Sequence, residues 1–280
     1  MDERKTHKAP NNGCVKKSYG IACCRFNKKT NNMEILLVKK NYSYNFSMFV
    51  LGRYNKKDDK ALRFLFNGMT NREKADILSM RFDILWYKMW QNIPQISEPP
   101  SEEFKSENKL WNILFNRKYT NDKNVSDYIK KKNKFESTFL VGGGKRLRHL
   151  IHGTTNLNNL WEIPKGRKSR KETKIDCAIR EFKEETGMTL SDYTMLFNVR
   201  PVIQTHSTQY VTYKNKYFIA YAMKEKKQSK FDIFNRNAEI CDYRWVSLNE
   251  IKFIEDMNRL SPVVTKIFTA VKAKYKQKNM

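Results

Sequence analysis

The feature that most constrains this chain is a regularly spaced acidic run between residues 166 and 188, GRKSRKETKIDCAIREFKEETGM. Thr173 followed three residues later by Asp176 predicts a helix N-terminus, and Gly187 predicts a left-handed helix end. Between them, apolar side chains recur at helical spacing and form one stripe, which we expect to pack against a sheet. These side chains are Ile175, Ala178, Ile179 and Phe182. The run therefore predicts an amphipathic helix with one buried face.

A second face of this helix carries three carboxylates. Glu181, Glu184 and Glu185 stand at positions i, i+3 and i+4, so we expect their side chains to project into one small volume. Like charges at this spacing repel each other, and a divalent cation that prefers hard oxygen ligands, Mg²⁺ or Mn²⁺, would remove that cost. Arg180 precedes Glu184 by four residues and could orient it. An ordinary solvated acidic face is the alternative interpretation.

The sequence that flanks the helix decides between these two interpretations. Starting at Gly166, a glycine, five residues, a glutamate, seven residues and the run REFxEExGM match every fixed position of the Nudix box. The chain therefore resembles the Nudix hydrolases, which split nucleoside diphosphates linked to another moiety. The resemblance implies an α+β fold, an α/β/α sandwich around a mixed sheet, in which the box forms a loop, a helix and a second loop. It also implies that Glu181, Glu184 and Glu185 hold the metal ion, with Glu172 as an accessory acidic position.

The loop before the helix, PKGRKSRK, is strongly basic. On the Nudix interpretation it binds the substrate through Lys165, Gly166, Arg167 and Lys168, and the basic side chains hold phosphate oxygens while the carboxylates hold the cation. Such an arrangement stabilises charge that develops on a phosphoryl group. Water attacks phosphorus, and a carboxylate accepts its proton.

The identity of this general base is open between three carboxylates. Glu181 and Glu184 lie within the box, where Arg180 is the expected orienting residue. Outside the box, NRNAEICDYRWVSLNEI resembles the segment by which decapping Nudix enzymes bring in a distal glutamate, here Glu239. A surface residue that precedes a strand is the alternative interpretation of Glu239.

Features along the whole chain resemble one branch of the Nudix family. SYGIACCRF, ILLVKKNYSYNFSMF, a helical segment before the box, LWEIPKG and AIREFKEETG together look like the mRNA-decapping enzymes of the African swine fever virus type. Poxvirus decapping enzymes are more distant relatives. The resemblance implies a viral host-shutoff protein that removes the 5′ cap from mRNA and releases m⁷GDP and 5′-monophosphate RNA.

A cap-binding site needs aromatic faces that stack on a cationic methylated base. Tyr44 and Phe218 occupy the positions that match the stacking pair of the poxvirus enzymes. Core packing is the alternative for both residues. Tyr44 belongs to a cluster of aromatic residues, and Phe218 lies in a predicted strand whose alternate side chains must be buried.

Strand and helix patterns suggest how the chain is organised. Residues 1–17 are polar and are expected to form a flexible N-terminus. Residues 18–57 and 138–280 are predicted to form the Nudix domain, and residues 58–137 a helical insertion that binds RNA. The domain begins with YGIACCRF and EILLVKKN, two predicted strands of a hairpin, and strand patterns return from about residue 139.

Local signals define individual elements within these regions. In the insertion, Thr70 and Glu73 predict a capping box, ADILSMRFDILWYKMW a buried helical stretch, PQISEPPS a linker and EEFKSENKLWNILF a further helix. Ser261 and Pro262 predict the start of a C-terminal helix, because proline is favoured at the first helical position.

The chain contains 55 Lys and Arg residues against 29 Asp and Glu, a net charge of +26. Such a charge raises the local concentration of polyanions. Nucleic acid is the first interpretation, because basic residues are spread along the chain with aromatic residues between them. A lysine-rich composition that favours solubility is the alternative. The predicted RNA-binding residues are Lys130, Lys131, Lys132, Lys134, Lys145 and Arg146.

Several other site classes are not supported by the sequence. The GGGK run at residues 142–145 is not a P-loop, since Arg146 stands where serine or threonine is required. The five cysteines show neither zinc spacing nor a disulfide framework. No secretory signal and no apolar run near the roughly 18 residues of a spanning helix is visible. We therefore expect a cytoplasmic protein, in the host cytoplasm if it is viral.

Two other functions are alternatives to decapping. The viral enzymes that the chain resembles are also linked to hydrolysis of diphosphoinositol polyphosphates, and an inositol pyrophosphate would suit the basic loop and the metal. So small a substrate does not require a basic, aromatic insertion at residues 58–137, which favours RNA. A non-catalytic RNA-binding module is the third possibility, and the repulsion that metal-free box glutamates would suffer argues against it.

Overall fold

The computed structural model describes residues 14–90, 122–155, 160–207, 211–223, 239–254 and 259–276. The chain forms two compact units. The sheet unit comprises Met1–Val38, Trp161–Phe231 and Tyr243–Met280, and the helical unit comprises Lys39–Leu160 and Asp232–Asp242. The predicted linker at residues 94–101 and the predicted helix at residues 102–115 lie outside the described residues.

The sheet unit begins with a β-hairpin. Strands β1 (Cys14–Asn27) and β2 (Asn32–Lys40) pair in antiparallel fashion up to Asn27 opposite Asn32, which confirms the predicted hairpin. Asn31 turns the chain in a left-handed conformation with a φ of 53°. Residues 14–17, which the sequence placed in the flexible N-terminus, belong to β1.

The other strands of the described residues join this hairpin in one mixed sheet. They are β3 (Trp161–Glu162), β4 (Lys165–Gly166), β5 (Tyr193–Met195), β6 (Val202–Ser207), β7 (Val211–Ala222) and β8 (Ile240–Ser247). Their order is β3-β2-β1-β7-β5, with β4 paired to β1, β6 to β7 and β8 to β2. The β1–β7 pair is parallel, whereas β2 and β4 on β1, and β5 and β6 on β7, are antiparallel. A mixed sheet is what the resemblance to the Nudix hydrolases implies.

The helices of the described residues are numbered in chain order. They are α1 (Tyr44–Val50), α2 (Asp59–Asn67), α3 (Asn71–Ser79), α4 (Phe82–Trp90), α5 (Asp122–Phe135), α6 (Lys145–Ile151), α7 (Lys174–Thr186), α8 (Leu248–Ile254) and α9 (Ser261–Lys276). A π-helical turn (Glu136–Leu140) follows α5. Within the described residues, no helix is both long and apolar enough to cross a bilayer.

Alternate residues of β1 are buried in different layers of the sheet unit. Ile21 and Cys23 pack in one cluster with residues of α7, whereas Ala22 and Cys24 pack in another with residues of α8 and α9. Because successive strand residues point to opposite faces, one helical layer covers each face of the sheet. The predicted C-terminal helix is confirmed, since α9 begins at Ser261 and buries its apolar face in the second cluster. The sheet unit therefore has the predicted α+β architecture, an α/β/α sandwich.

The helical unit packs around an aromatic core. Phe46, Phe49, Phe66, Phe135 and Phe139 are almost fully buried there. The Phe49 ring centroid lies 5.3 to 5.9 Å from those of Phe66, Phe135 and Phe139. This core contains residues of α1 together with residues of the helices that follow it. The helical unit therefore includes more of the chain than the predicted insertion at residues 58–137.

Two local predictions in the helical unit have clear outcomes. The capping box at Thr70 and Glu73 is confirmed at the start of α3. The strand pattern predicted from residue 139 is wrong for residues 139–155, because α6 lies there and buries Leu147 and Leu150 against the aromatic core. Strand β3 begins at Trp161. The buried helical stretch is divided into α3 and α4, since Met80 adopts an extended conformation.

Candidate functional site

The acidic run folds as predicted into one helix, α7. Thr173 and Asp176 form a capping box in which each side chain accepts the other's backbone N–H, and Gly187 ends the helix with a φ of 69°. On the side of α7 that faces the sheet, Ala178 and Phe182 are fully buried, while Ile175 and Ile179 are partly buried. The helix is thereby fixed against the sheet along one stripe.

The three box glutamates of α7 have different environments. Glu185 is only 4% exposed, and its Oε2 accepts the backbone N–H of Lys165 at 2.9 Å. The side chain of Glu184 is 53% exposed, and that of Glu181 is mostly buried. The sequence predicts one common acidic face. In the structure the exposure of the three carboxylates increases from Glu185, which is bonded to β4, through Glu181 to Glu184.

Arg180 connects four of the groups around the box. Its Nε and Nη2 donate to the two carboxylate oxygens of Glu172, each at 3.0 Å. Nη2 also lies 2.8 Å from Glu181 Oε1, and Nη1 donates to Glu184 Oε2 at 2.9 Å. Nη2 further donates to the carbonyl oxygen of Arg167 at 3.2 Å. Of these contacts, the sequence predicts only the pair with Glu184.

This arginine changes the charge balance of the site. Hydrogen bonds from Arg180, and secondly from the Ser169 N–H, lower the pKa of Glu172 to about 2. The hydrogen bonds that Arg180 donates, to Glu172 first and also to Glu181, raise the pKa of Arg180. One guanidinium thus offsets the repulsion among the acids. Glu181 and Glu184 therefore have a compensating cation without a metal ion, so their repulsion does not exclude a non-catalytic module.

Gly166 gives the Glu181 carboxylate its place. A Cβ atom at residue 166 would lie 1.9 Å from Glu181 Cδ and about as close to both carboxylate oxygens. Any side chain at this position would displace the carboxylate, so the box requires glycine here for space.

The basic loop lies directly beside these acids. The Lys165 ammonium forms an ion pair with Glu162, and Lys168 Nζ donates to the carbonyl oxygens of Ser169 and Glu172, both at 2.8 Å. The Arg167 side chain is exposed. The predicted phosphate-binding cations are therefore adjacent to the box, but two of the ammonium groups bind oxygens of the protein itself.

Glu162 is a residue that the sequence analysis missed. It lies in β3, and its ion pair with Lys165 is largely buried, with side chains 15% and 16% exposed. An acid three residues before a lysine is visible in LWEIPKG, but the spacing alone does not reveal that the pair is buried.

The predicted cap-stacking residues lie in different units. Tyr44 is the first residue of α1 in the helical unit and its side chain is exposed. Phe218 lies in β7 of the sheet unit, partly buried against the cluster that contains α7 residues, and Lys216 Nζ is 5.2 Å from its ring centroid. Glu239, the candidate distal base, belongs to the helical unit, where its Oε1 lies 2.7 Å from Lys40 Nζ.

The predicted RNA-binding residues all lie in the helical unit, where they make different contacts. Lys134 Nζ donates to the carbonyl oxygens of Gly52 and Tyr54, both at 2.7 Å, and lies 4.3 Å from the Tyr54 ring centroid.

Two further members of this set also pair with the protein. Arg146 Nη2 lies 2.6 Å from Asp59 Oδ1, and Lys131 pairs with Asp127. Lys130 and Lys145 are exposed, and Lys132 is partly exposed.

The acids around α7 supply carboxylate oxygens, and such hard donors suit a divalent cation. The space at Gly166, which a Cβ would fill, is consistent with a fixed position for the Glu181 donor. In the described part of the chain, however, no three His, Cys, Asp or Glu side chains are placed to share one metal ion. Glu181 and Glu184 bind Arg180, and Glu185 binds the Lys165 N–H, so a cation would compete with these partners.

Comparisons with known proteins bear on both units. The profile of the NUDIX domain matches residues 142–266. The chain is 30% identical over 270 residues to the mRNA-decapping protein g5R of African swine fever virus, which covers 92% of this chain and 96% of that protein. It is 48% identical over 44 residues to the m7GpppN-mRNA hydrolase of Saccharomyces cerevisiae, which is 16% of this chain and 4% of that protein. A C. elegans Ap4A hydrolase binary complex superposes with a TM-score of 0.42 at 12% identity, covering 92% of this chain and 98% of that one, a likeness that supports no argument.

Proposed function

The chain belongs to the Nudix family, and on this premise we propose that it is an mRNA-decapping hydrolase that releases m⁷GDP and 5′-monophosphate RNA. One observation carries the proposal. The similarity to a viral decapping protein extends over 92% of the chain, so it includes the helical unit as well as the box. A match confined to the box would support Nudix chemistry without indicating a substrate.

Nudix hydrolases generally use divalent metal ions, and here we propose Mg²⁺ or Mn²⁺. Glu181, Glu184 and Glu185 would hold the ion, with Glu172 as an accessory acid. When bound, the ion supplies electrostatic stabilisation for charge that develops on the phosphoryl group. The carboxylate oxygens around α7 and the space at Gly166 support this assignment.

The loop residues and Arg180 would orient the reacting groups. Arg167 and Lys168 would hold phosphate oxygens, and Lys165 would do so only if its ammonium left Glu162. Gly166 lets the backbone approach the Glu181 carboxylate. Arg180 keeps Glu181 and Glu184 oriented through its two contacts of 2.8 and 2.9 Å. Positioning of this kind lowers the barrier because less freedom is lost when the transition state forms.

A carboxylate accepts the proton of the attacking water, and three carboxylates are candidates. Glu181 and Glu184 lie beside the loop, and the exposure of Glu184 supports access to water. Glu239 is the candidate outside the box, and its Oε1 lies 2.7 Å from Lys40 Nζ.

We further propose that Tyr44 and Phe218 stack on the methylated guanine of the cap. The ammonium of Lys216 already lies over the Phe218 ring at 5.2 Å, which supports a ring face that accommodates a cation. The exposed ring of Tyr44 supports a role in binding as well.

The RNA beyond the cap would bind the helical unit, which contains the predicted insertion at residues 58–137 and the segment that precedes the box. The exposed Lys130 and Lys145 and the partly exposed Lys132 are the best supported phosphate contacts. Lys131, Lys134 and Arg146 are also candidates, although each makes contacts within the protein. The protein would act in the cytoplasm, as a host-shutoff factor in the host cytoplasm if it is viral.

The decisive experiment incubates the protein with cap-labelled RNA and Mg²⁺ or Mn²⁺ and identifies the released nucleotide. We expect m⁷GDP, and we expect release to stop in chelator while circular dichroism shows an unchanged fold. Turnover of an inositol pyrophosphate without nucleotide release would favour the alternative phosphohydrolase. RNA binding with neither reaction would favour a non-catalytic module.

A further inference from the structure

The ion pair of Glu162 and Lys165 lies between the two short strands that lead into the box. Glu162 ends β3 and Lys165 begins β4, and both side chains are about five-sixths buried. Removing one partner of a buried ion pair leaves the other charge uncompensated in a poorly solvating environment. The pair therefore holds the β3–β4 corner in one conformation.

The backbone of Lys165 also contacts the box. Its backbone N–H donates to Glu185 Oε2 at 2.9 Å, and Glu185 is 4% exposed. The same residue thus contacts an acid outside the box through its side chain and an acid within the box through its backbone.

The backbone around Lys165 is held tightly against β1. Gly20 pairs with Lys165 across the two strands. A Cβ at residue 20 would lie 2.0 Å from the Pro164 carbonyl oxygen and 2.7 Å from Lys165 Cβ, so only glycine permits this approach. On the other side of the corner, Arg259 Nη2 donates to the Trp161 carbonyl oxygen at 2.9 Å, which anchors the residue before Glu162.

We propose that Glu162 and Lys165 form a positioning pair, which places the Lys165 N–H on Glu185 and so orients Glu185 as a metal ligand. The inference deepens the proposed function, since it rests on metal binding by Glu185. Groups that hold a metal ligand in place typically change metal affinity or activity about 10- to 100-fold when they are altered.

This assignment differs from direct phosphate binding by Lys165. If the ammonium moved to a phosphate, the largely buried Glu162 would lose its cation. A positioning role keeps the pair intact throughout the reaction and acts on metal affinity, whereas a phosphate contact acts on substrate affinity.

The test uses the full-length protein with Glu162→Gln, Lys165→Met and the double variant. Mn²⁺ binding without substrate is measured from the electron paramagnetic resonance of free Mn²⁺, and kcat and KM for capped RNA are measured separately. We expect each single variant to bind Mn²⁺ about 10-fold more weakly or worse and to lose kcat with little change in KM. The double variant should lie between the single variants and the unaltered protein, because it leaves no unpaired charge.

The matched control is Glu34→Gln, which alters another buried carboxylate of the sheet unit, paired with Arg25 at 2.7 Å. It should leave Mn²⁺ affinity unchanged. If the single variants do not fold, the double variant decides alone, and Mn²⁺ affinity equal to that of the unaltered protein overturns the proposal.

A raised KM in Lys165→Met with unchanged Mn²⁺ affinity also overturns it and assigns Lys165 to phosphate. If no m⁷GDP is released but the pattern of Mn²⁺ affinities appears, decapping is wrong and the positioning pair stands.

Discussion

Two glutamates, one in each unit, are almost fully buried and accept backbone N–H groups, yet their surroundings differ. Glu73 in the helical unit is 2% exposed, and its oxygens accept the N–H groups of Ser43 at 2.5 Å and Thr70 at 2.8 Å. Glu185 in the sheet unit is 4% exposed and accepts the N–H of Lys165. Glu73 joins the starts of α1 and α3, whereas Glu185 is the innermost of a series of acids that reaches solvent at Glu184.

The comparison shows that burial of a carboxylate does not by itself indicate function. Both oxygens of Glu73 are used to cap helices, which satisfies groups that every helix leaves unpaired. Burial raises the pKa of Glu73, against the opposing effect of these hydrogen bonds. Glu181 and Glu184 of α7 instead share Arg180, and Glu184 opens to solvent, which leaves its carboxylate accessible to ligands.

The largest expected effect concerns the exposed end of the acidic series. Glu184→Gln should reduce cap release by about 10²- to 10⁴-fold, the range expected when a general base or a charge that stabilises the transition state is lost. Its melting temperature should stay near that of the unaltered protein, because the side chain is 53% exposed. RNA affinity should be unchanged or higher, since a negative charge is removed. Lys183→Gln, an exposed change on the same helix, is the control, and unchanged turnover in Glu184→Gln would remove Glu184 from the mechanism.

Glu73→Ala should show the opposite behaviour. It leaves the N–H groups of Ser43 and Thr70 without their acceptor inside the protein, at a cost of roughly 1–3 kcal/mol for each unsatisfied group. We expect a loss of about 3 kcal/mol in the free energy of unfolding, measured with urea. Asp176→Ala, which alters the exposed acid of the second capping box, should cost about 1 kcal/mol. Equal losses in the free energy of unfolding for the two variants would show that burial of the acid does not determine how much each capping box contributes to stability.

Lowering the pH should change the stability contributions of Glu73, which is buried, and Glu172, which is bonded to Arg180, in opposite directions. Arg180 lowers the pKa of Glu172 to about 2 in the folded protein, so its contribution to stability is present above the unfolded pKa and is lost as the pH falls toward 2. The pKa of Glu73 is raised by burial, so its contribution is present below the unfolded pKa and is lost as the pH rises through the folded value. Urea denaturation between pH 6 and pH 2 should therefore show a smaller acid loss in Glu172→Gln and a larger one in Glu73→Gln. The same pH dependence in both variants would contradict these assignments.

The capping boxes also show what sequence patterns predict well. Thr70–Glu73 and Thr173–Asp176 were both located from spacing alone, because a cap is a contact between residues three positions apart. The same locality made the hairpin of β1 and β2 and the start of α9 predictable. None of these patterns distinguishes buried Glu73 from exposed Asp176, since burial is set by segments distant in the sequence.

The errors of the sequence analysis have the same origin. Helix α6 follows three glycines with φ values of 67° to 73°, which provide no capping side chain to indicate a helix start. Its Leu147 and Leu150 are buried by aromatic residues from other helices. The i, i+3, i+4 spacing of the box glutamates predicts one shared acidic face but not the burial of Glu185, which depends on β4. Glu162 was missed because its partner and its burial depend on how β3 and β4 pack.

The smallest expected effect concerns two lysines of the helical unit, one exposed to solvent and one bonded within the protein. Lys130 is exposed, whereas Lys134 donates to the Gly52 and Tyr54 carbonyl oxygens and lies over the Tyr54 ring. If Lys130 contacts an RNA phosphate, Lys130→Glu should lower the slope of log affinity against log salt concentration by about 0.7, the value for one contact on a single strand. Lys134→Met should mainly lower the urea midpoint, because two carbonyl groups lose their donor. A salt slope that Lys130→Glu leaves unchanged, and that Lys134→Met reduces, would reverse the assignment and identify the internally bonded lysine as the one that binds RNA.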